Sequence, residues 1–546
     1  DAYRKVHALA GGRNDNTGVL GEVFHYGADG FKTLNSGQDT GFEKTDGMLK
    51  IDRYFGENNE HHLEFKGKYS EETSNETYLG LLDNDYNADA YQRYSASQLD
   101  QMDTEHTHLS LHYDYIISPQ SDISIIAYQN DFARNWYKVS KVGGLSLGSG
   151  AEEVAAQIDN GSYTDSAFPI VQIKANNREY LSQGIQAELA YRTDEHDIRF
   201  GVRIHEDEMD RYQWVDDYTL TTAGTMSLLL AREAGTDSNR IDSADAISLF
   251  IHDTWEINDL TIKGGLRYEN VNLARDDWGK TDPQRVNEPA MRRNSVEALL
   301  PALGFTYQVN DELVMLAGVQ RSFAPPAPGN QNAEEEDGWN AEAGVRFIDN
   351  DLRVEAIVFA TRLDNLHGNC TASQGCNDSL IGNQYNAGKV SVDGVELSFG
   401  NAWQIGAVQI PINVNYTYTN ASFDESFASE LDSWGNVEAG DDLPYLPQTV
   451  MQIETGVKSS RWQVLASLQR LDDMRTQAGK GAMLNDTDIK GRTIVNLSAK
   501  YDIDNAQQIY AVIDNVLDKN YIATRQHGAI QVGKPRTLQI GYRVSF

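Results

Sequence analysis

Asp83, Asp85, Asn87 and Asp89 place four oxygen-bearing side chains at alternate positions. Such spacing suits a hard cation, and calcium loops of the EF-hand type use it. Those loops also need Gly at the sixth position and Glu at the twelfth, where this chain has Ala88 and Tyr94. A solvated acidic loop or a looser calcium site remains. His106, His108 and His112 share parity, opposite Leu109, Leu111 and Tyr113. Ligands two apart on a strand could hold a metal, but no carboxylate or Cys fixes the geometry, and packing against a wet interior is expected. Cys370 and Cys376 are the only cysteines and share one short polar stretch. A disulfide in an oxidising compartment is the expectation; the alternative is a poor zinc site completed by His367. No nucleophile elbow, phosphate loop, Gly-rich dinucleotide turn or HExxH occurs, so nothing supports catalysis.

The elements that must hold these residues are strands. In the last stretch, Leu538, Ile540, Tyr542, Val544 and Phe546 alternate with Gln539, Gly541, Arg543 and Ser545. Side chains on a strand alternate faces, so this strand has one oily and one wet side. Leu260, Ile262, Leu266 and Tyr268 repeat the pattern against Lys263 and Arg267, and 495–501 does so again. Short turns fall near Pro119, Asp194, Asn258, Asn310, Asp349, Gln404, Ser459 and Asp504. Between them lie long polar segments at about 70–105, 140–180, 214–244, 270–294, 324–338, 366–387, 420–447, 474–490 and 523–534. One rim of short turns and one of long loops is the pattern of a large antiparallel outer-membrane barrel, with long loops outside the cell. The reading gives all-β, roughly 21 strands, and about 22 in the full protein, a size at which barrels are plugged transporters.

Bulk composition agrees. No run approaches the ~18 apolar residues of a membrane helix, and a barrel needs none because every second strand position is polar. The formal charge is -35, from 81 acidic and 46 basic residues. Phosphate binding demands clustered Lys and Arg, so nucleic acid is not an expected partner. Acidic loops instead suit solvation, divalent cations, or lipid head groups and lipopolysaccharide bridged by such cations.

Several stretches carry a family resemblance. Asp514–Tyr521, Gly533–Arg536 and the terminal Phe546 resemble the C-terminal signature of TonB-dependent outer-membrane receptors. Leu249–Trp255, Gly265–Glu269, Leu300–Tyr307, Gly318–Pro326 and Glu342–Arg346 extend it in order along the chain. Glu76–Leu81, Tyr91–Asp100, the Cys370–Cys376 loop, Gln384–Gly388 and Asp442–Pro447 are similar to the ferric-citrate receptor branch. The resemblance implies that residues 1–546 form a receptor barrel importing a ferric chelate, with energy from the TonB complex and no required cofactor. It also implies an N-terminal plug, which these residues do not contain; the plug and the first strand are expected upstream of Asp1.

An anionic chelate calls for Arg forks and amide donors in a concave mouth. The rim positions that fit are Arg93, Arg134, Asn135, Gln384, Asn386, Arg525 and Gln526. Haem receptors of this family carry a His and a second box after an Arg-Ala-Pro box. Ser322–Gly329 has neither, which weighs against haem. Uptake of another siderophore or metal complex stays open, as do a passive porin and an adhesin or phage-docking barrel.

Overall fold

In a computed structural model of the chain, all residues are described except 1, 165–168, 331–333, 371–375, 377–383, 484–486 and 527–528. The interior of the Cys370–Cys376 loop lies outside the described residues. One sheet of 23 strands dominates. Two of them, Leu145–Ser146 and Met226–Leu230, are short additions. The other 21 pair antiparallel in chain order, as the sequence predicts.

The meander begins with β1 (Arg4–Asn14), β2 (Thr17–Ala28), β3 (Phe42–Phe55) and β4 (His61–Ser74). The next seven strands are long: β5 (Gln101–Ser118), β6 (Ser121–Val142), β7 (Ile170–Arg192), β8 (His196–Leu220), β9 (Ser238–Ile257), β10 (Leu260–Asp277) and β11 (Ala290–Gln308). Length falls again in β12 (Leu313–Ala324), β13 (Glu336–Asp349), β14 (Leu352–Asp364), β15 (Val390–Ile405) and β16 (Val408–Phe423). The last are short: β17 (Thr449–Lys458), β18 (Trp462–Leu471), β19 (Arg492–Asp502), β20 (Gln507–Asp514) and β21 (Thr537–Val544). At ~3.3 Å per residue a 25-residue β8 has a contour near 80 Å, against about 26 Å for an 8-residue β21. The wall is tall from β5 to β11 and low from β17 to β21.

All the short turns fall where the sequence puts them. Asn258, in the two-residue link between β9 and β10, has φ 51°. Asn tolerates that left-handed conformation, which two-residue hairpins require. The long loops are shorter than expected. β6 runs to Val142 and β7 starts at Ile170, so the 140–180 segment is largely strand at both ends. Likewise β8 reaches Leu220 and β9 begins at Ser238, narrowing the 214–244 segment.

Two faces follow from the pairing. Ile185, Ile204 and Ile247 are lateral neighbours on β7, β8 and β9 and are 56%, 62% and 51% exposed. A soluble sheet would bury such a row; here it forms the outward apolar belt of a membrane barrel. Buried apolar clusters gather instead among the loops. One joins Leu79, Tyr94 and Ile158 to Val139, Ile173 and Leu220, and another surrounds Phe423 and Val437. The first is helped by a short helix, α1 (Ala151–Asp159).

Candidate functional site: an arginine tier on the inner wall

Residues directly opposite on paired strands share a face, so one inward position fixes its neighbours. Arg134 on β6 is the Cα partner of Arg178 on β7, Arg178 of Arg211 on β8, and Arg211 of Arg240 on β9. All four lie on the face opposite the apolar belt. With neighbouring strands ~4.8 Å apart, four guanidinium groups line an arc of about 15 Å. Arg275 on β10 joins them one pleat lower, opposite Asp242.

Counter-charge comes from Asp242 and from Asp277, the Cα partner of Arg240 at the end of the row. Asp242, 4% exposed, lies 2.5 Å from Arg275, 3.2 Å from Arg240 and 3.8 Å from Arg211. One carboxylate serves three cations. Arg211 Nε is buried with no hydrogen-bond acceptor. Among the described residues Arg178 donates to neutral groups: Asn176 Oδ1 at 3.1 Å, Tyr180 Oη at 3.3 Å and Met209 Sδ at 3.9 Å. Like charges directly opposite destabilise a sheet, so an arginine tier in a chain of net charge -35 has the chemistry to receive an anion.

The surroundings extend this chemistry. Two pleats above Arg134, Lys138 is the Cα partner of Lys174. Lys174 pairs with Asp237 at 2.5 Å, while Lys138 Nζ sits 3.1 Å from the Tyr78 ring centroid and 4.5 Å from that of Trp136. One pleat below the arginines, His106, Phe132, Tyr180 and Met209 are successive lateral neighbours. Phe132 packs 5.7 Å from Tyr180 and 5.9 Å from His106. A charged tier thus stands on an aromatic and thioether tier.

The outward face at the same height has the opposite sign. Glu105, Asp131, Glu179, Glu206, Glu208 and Asp245 lie above the apolar belt on β5 to β9. None has a salt-bridge partner among the described residues, although outward Asp210 beside them is paired with Arg285.

Of the sequence candidates, only Arg134 belongs to the tier. Asn135, its neighbour, points outward with a buried Oδ1 lacking a partner. Arg93 is 5% exposed and spends its donors on Asn75 O, Ser97 O and Ser97 Oγ, holding its loop together. Arg525 forks onto Asp83 at 2.5 and 3.1 Å, next to exposed Gln526. Gln384 Oε1 accepts from Ala327 N at 2.9 Å, and Asn386 Nδ2 donates to Asn365 Oδ1 at 2.7 Å. Arg93, Arg525, Gln384 and Asn386 therefore form ties within or between loops, apart from the arginine arc.

The calcium reading finds no support. Asp83 to Ala88 is a helical turn, in which alternate residues splay about 200° apart rather than converge. Asp83 is taken by Arg525, Asp85 by the Tyr94 hydroxyl, and Asp89 by the Tyr91 amide; Asn87 shares no ligand sphere with them. No group of three or more His, Cys, Asp or Glu among the described residues could hold a metal. His108 and His112 instead bond Asn130 and Ser124, both at 2.7 Å. Cys370 and Cys376 are joined in a disulfide, buried against Leu431 and Trp434.

A many-stranded antiparallel wall, apolar outside and cationic inside near its looped rim, defines an outer-membrane receptor barrel. This chain belongs to the TonB-dependent receptor β-barrel family: the family described as "TonB dependent receptor-like, beta-barrel" matches residues 52–516. Solved structures share the fold. The ferric citrate transporter FecA in its unliganded form is 19% identical with a TM-score of 0.74, over 99% of this chain and 75% of that one. The ferric-catecholate import receptor Fiu from Escherichia coli K12 is 15% identical with a TM-score of 0.73, over 100% and 80%. The siderophore receptor PiuA from Acinetobacter baumannii is 13% identical with a TM-score of 0.74, over 99% and 79%. No curated protein matches the chain.

Proposed function

We propose that this barrel imports a ferric chelate bearing several carboxylates, of the citrate type, across the outer membrane. The arginine tier carries the reading. Guanidinium forks bind carboxylates in bidentate fashion, and Arg134, Arg178, Arg211 and Arg240 offer an arc of them to a ligand entering the lumen. A plug domain outside these residues completes the site and gates the lumen, and TonB supplies the energy. The Phe132–Tyr180 tier favours a second reading, in which the iron ligands are aromatic.

Titration calorimetry on the full-length receptor tests both. Saturable binding of ferric citrate, absent with iron-free citrate and with haemin, is the expected result. A ferric chelate with aryl donors binding in place of ferric citrate establishes the second reading. A constitutively open pore in liposomes, with no saturable ligand, would overturn both in favour of a passive channel.

A further inference from the structure

On the inward face of β6, Lys138 stands about 13 Å above Arg134, at ~3.3 Å per residue. It is 9% exposed and meets no carboxylate at ion-pair distance among the described residues. Two rings cap its ammonium instead, with Nζ 3.1 Å from the Tyr78 centroid and 4.5 Å from that of Trp136. The caps are held differently. Trp136 belongs to the strand wall and donates from Nε1 to Glu76 O at 3.3 Å. Tyr78 comes from the loop after β4, pinned on either side of it. Thr77 Oγ1 donates to Asp100 Oδ2 at 2.5 Å, and Leu79 is buried. Rotation of the Tyr78 side chain can therefore uncover Lys138 without moving the loop. Lys174, its lateral neighbour, has Asp237 at 2.5 Å. A buried cation is ordinarily paired, so Lys138 is short of an anion.

We propose that Lys138 is a further ligand-binding residue of the chelate site, for which the Tyr78 ring and a ligand carboxylate compete. The inference rests on the reading of the arginine tier as that site. A carboxylate offers the ammonium a charge-assisted hydrogen bond, which a ring face cannot. A chelate entering the lumen passes Lys138 before it reaches Arg134. Its arrival also moves a proton. Burial pushes Lys138 down to about 6; Asp100 opposes that shift, and Lys174, Arg134 and Arg178 add to it. Near neutral pH the group is mostly an amine, and a carboxylate beside it favours the ammonium, so binding takes up a proton from solvent.

The test titrates the full-length receptor with ferric citrate at neutral pH in buffers of different ionisation enthalpy, so calorimetry reads affinity and proton uptake together. The wild type should take up most of one proton per chelate. Lys138→Met should weaken binding about tenfold and abolish the uptake. Lys138→Arg should recover affinity relative to Lys138→Met yet take up no proton, because a guanidinium is already charged. Tyr78→Ala should tighten binding roughly threefold, since the competing ring is gone. Asp100→Asn removes the other nearby group that titrates in this range and should leave the uptake in place. Unchanged affinity and uptake in Lys138→Met would overturn the proposal, while a loss of affinity in Arg178→Ala would keep the arginine site standing. Uptake that survives Lys138→Met and vanishes in Asp100→Asn would overturn it too. Affinity indifferent to Lys138→Met and Arg178→Ala alike would overturn the arginine site with it.

Discussion

The two faces of the tall wall, built from the same strands at the same height, carry opposite charge. Inward stand Arg134, Arg178, Arg211 and Arg240; one residue along the backbone from these levels, outward stand Ala133, Glu179, Asp210 and Ile241. Strand geometry permits this because neighbours point apart, so each strand can serve two solvents at once. The lesson is that net charge says little about what such a barrel binds. Around this arc the inner face is cationic although the chain as a whole carries a charge of -35.

The comparison can be broken most forcefully from inside. Arg178→Ala with Arg211→Ala removes two charge-assisted contacts of roughly 1.5–3 kcal/mol each, so chelate affinity should fall about a hundredfold or more. Calorimetry showing an unchanged Kd would remove the arginine tier from the binding site. Asp242→Asn leaves Arg211, Arg240 and Arg275 without their shared counter-ion, and breaking a buried pair costs roughly 3 kcal/mol. The temperature at which sheet ellipticity is lost should drop; an unshifted transition would mean that the three arginines are held by something else.

A third test concerns the rim above the tier. Asp100, 2% exposed, accepts from Val139 N at 2.8 Å and closes the loop that seats Tyr78 over Lys138. Burial pushes its carboxyl up to about 7 from an ordinary 3.8. The folded loop therefore prefers the protonated acid, and its stability is greatest below about pH 4 and lost as pH rises toward 7. Hydrogen-exchange protection of the Val139 amide, corrected for intrinsic rate, should fall by up to roughly tenfold per pH unit in that window. Asp100→Asn should flatten the profile, and a wild-type profile already flat would contradict the assignment. The smallest effect is expected outside: Glu179→Gln with Glu208→Gln should change chelate affinity by less than about twofold, since solvent screens charges across the wall. A larger change would mean that the two faces are electrically coupled.

Much of the fold was legible because the membrane imposes its own code. Wherever a strand crosses the bilayer, one face must be apolar, and the alternation at Leu260–Tyr268 and Leu538–Val544 betrays it. The signal stops where lipid stops. Above the belt both faces meet water, so β6 to β10 continue as hydrogen-bonded ladders without alternating hydropathy, and their upper ends read as loop. Arg178, Arg240 and Arg275 fall in those stretches, which is why the site was missed around Arg134. Counting inward parity upward from the belt on each strand would have aligned them. Arg93 failed for a different reason: a lone Arg in a loop reads alike whether it meets ligand or, as here, caps Asn75 and Ser97. The acidic quartet failed because the spacing of a calcium loop was expected where a helical turn forms.

The unequal strands have a last consequence. With β6 to β9 rising far above β17 to β21, the mouth is cut obliquely, like a scoop rather than a cup. The arginines occupy the raised back of the scoop. If the arc is the binding site proposed above, a chelate arriving over the low side faces the arginines directly, whereas one arriving from behind faces the outward carboxylates. Capture on that reading would have a preferred compass direction in the plane of the membrane.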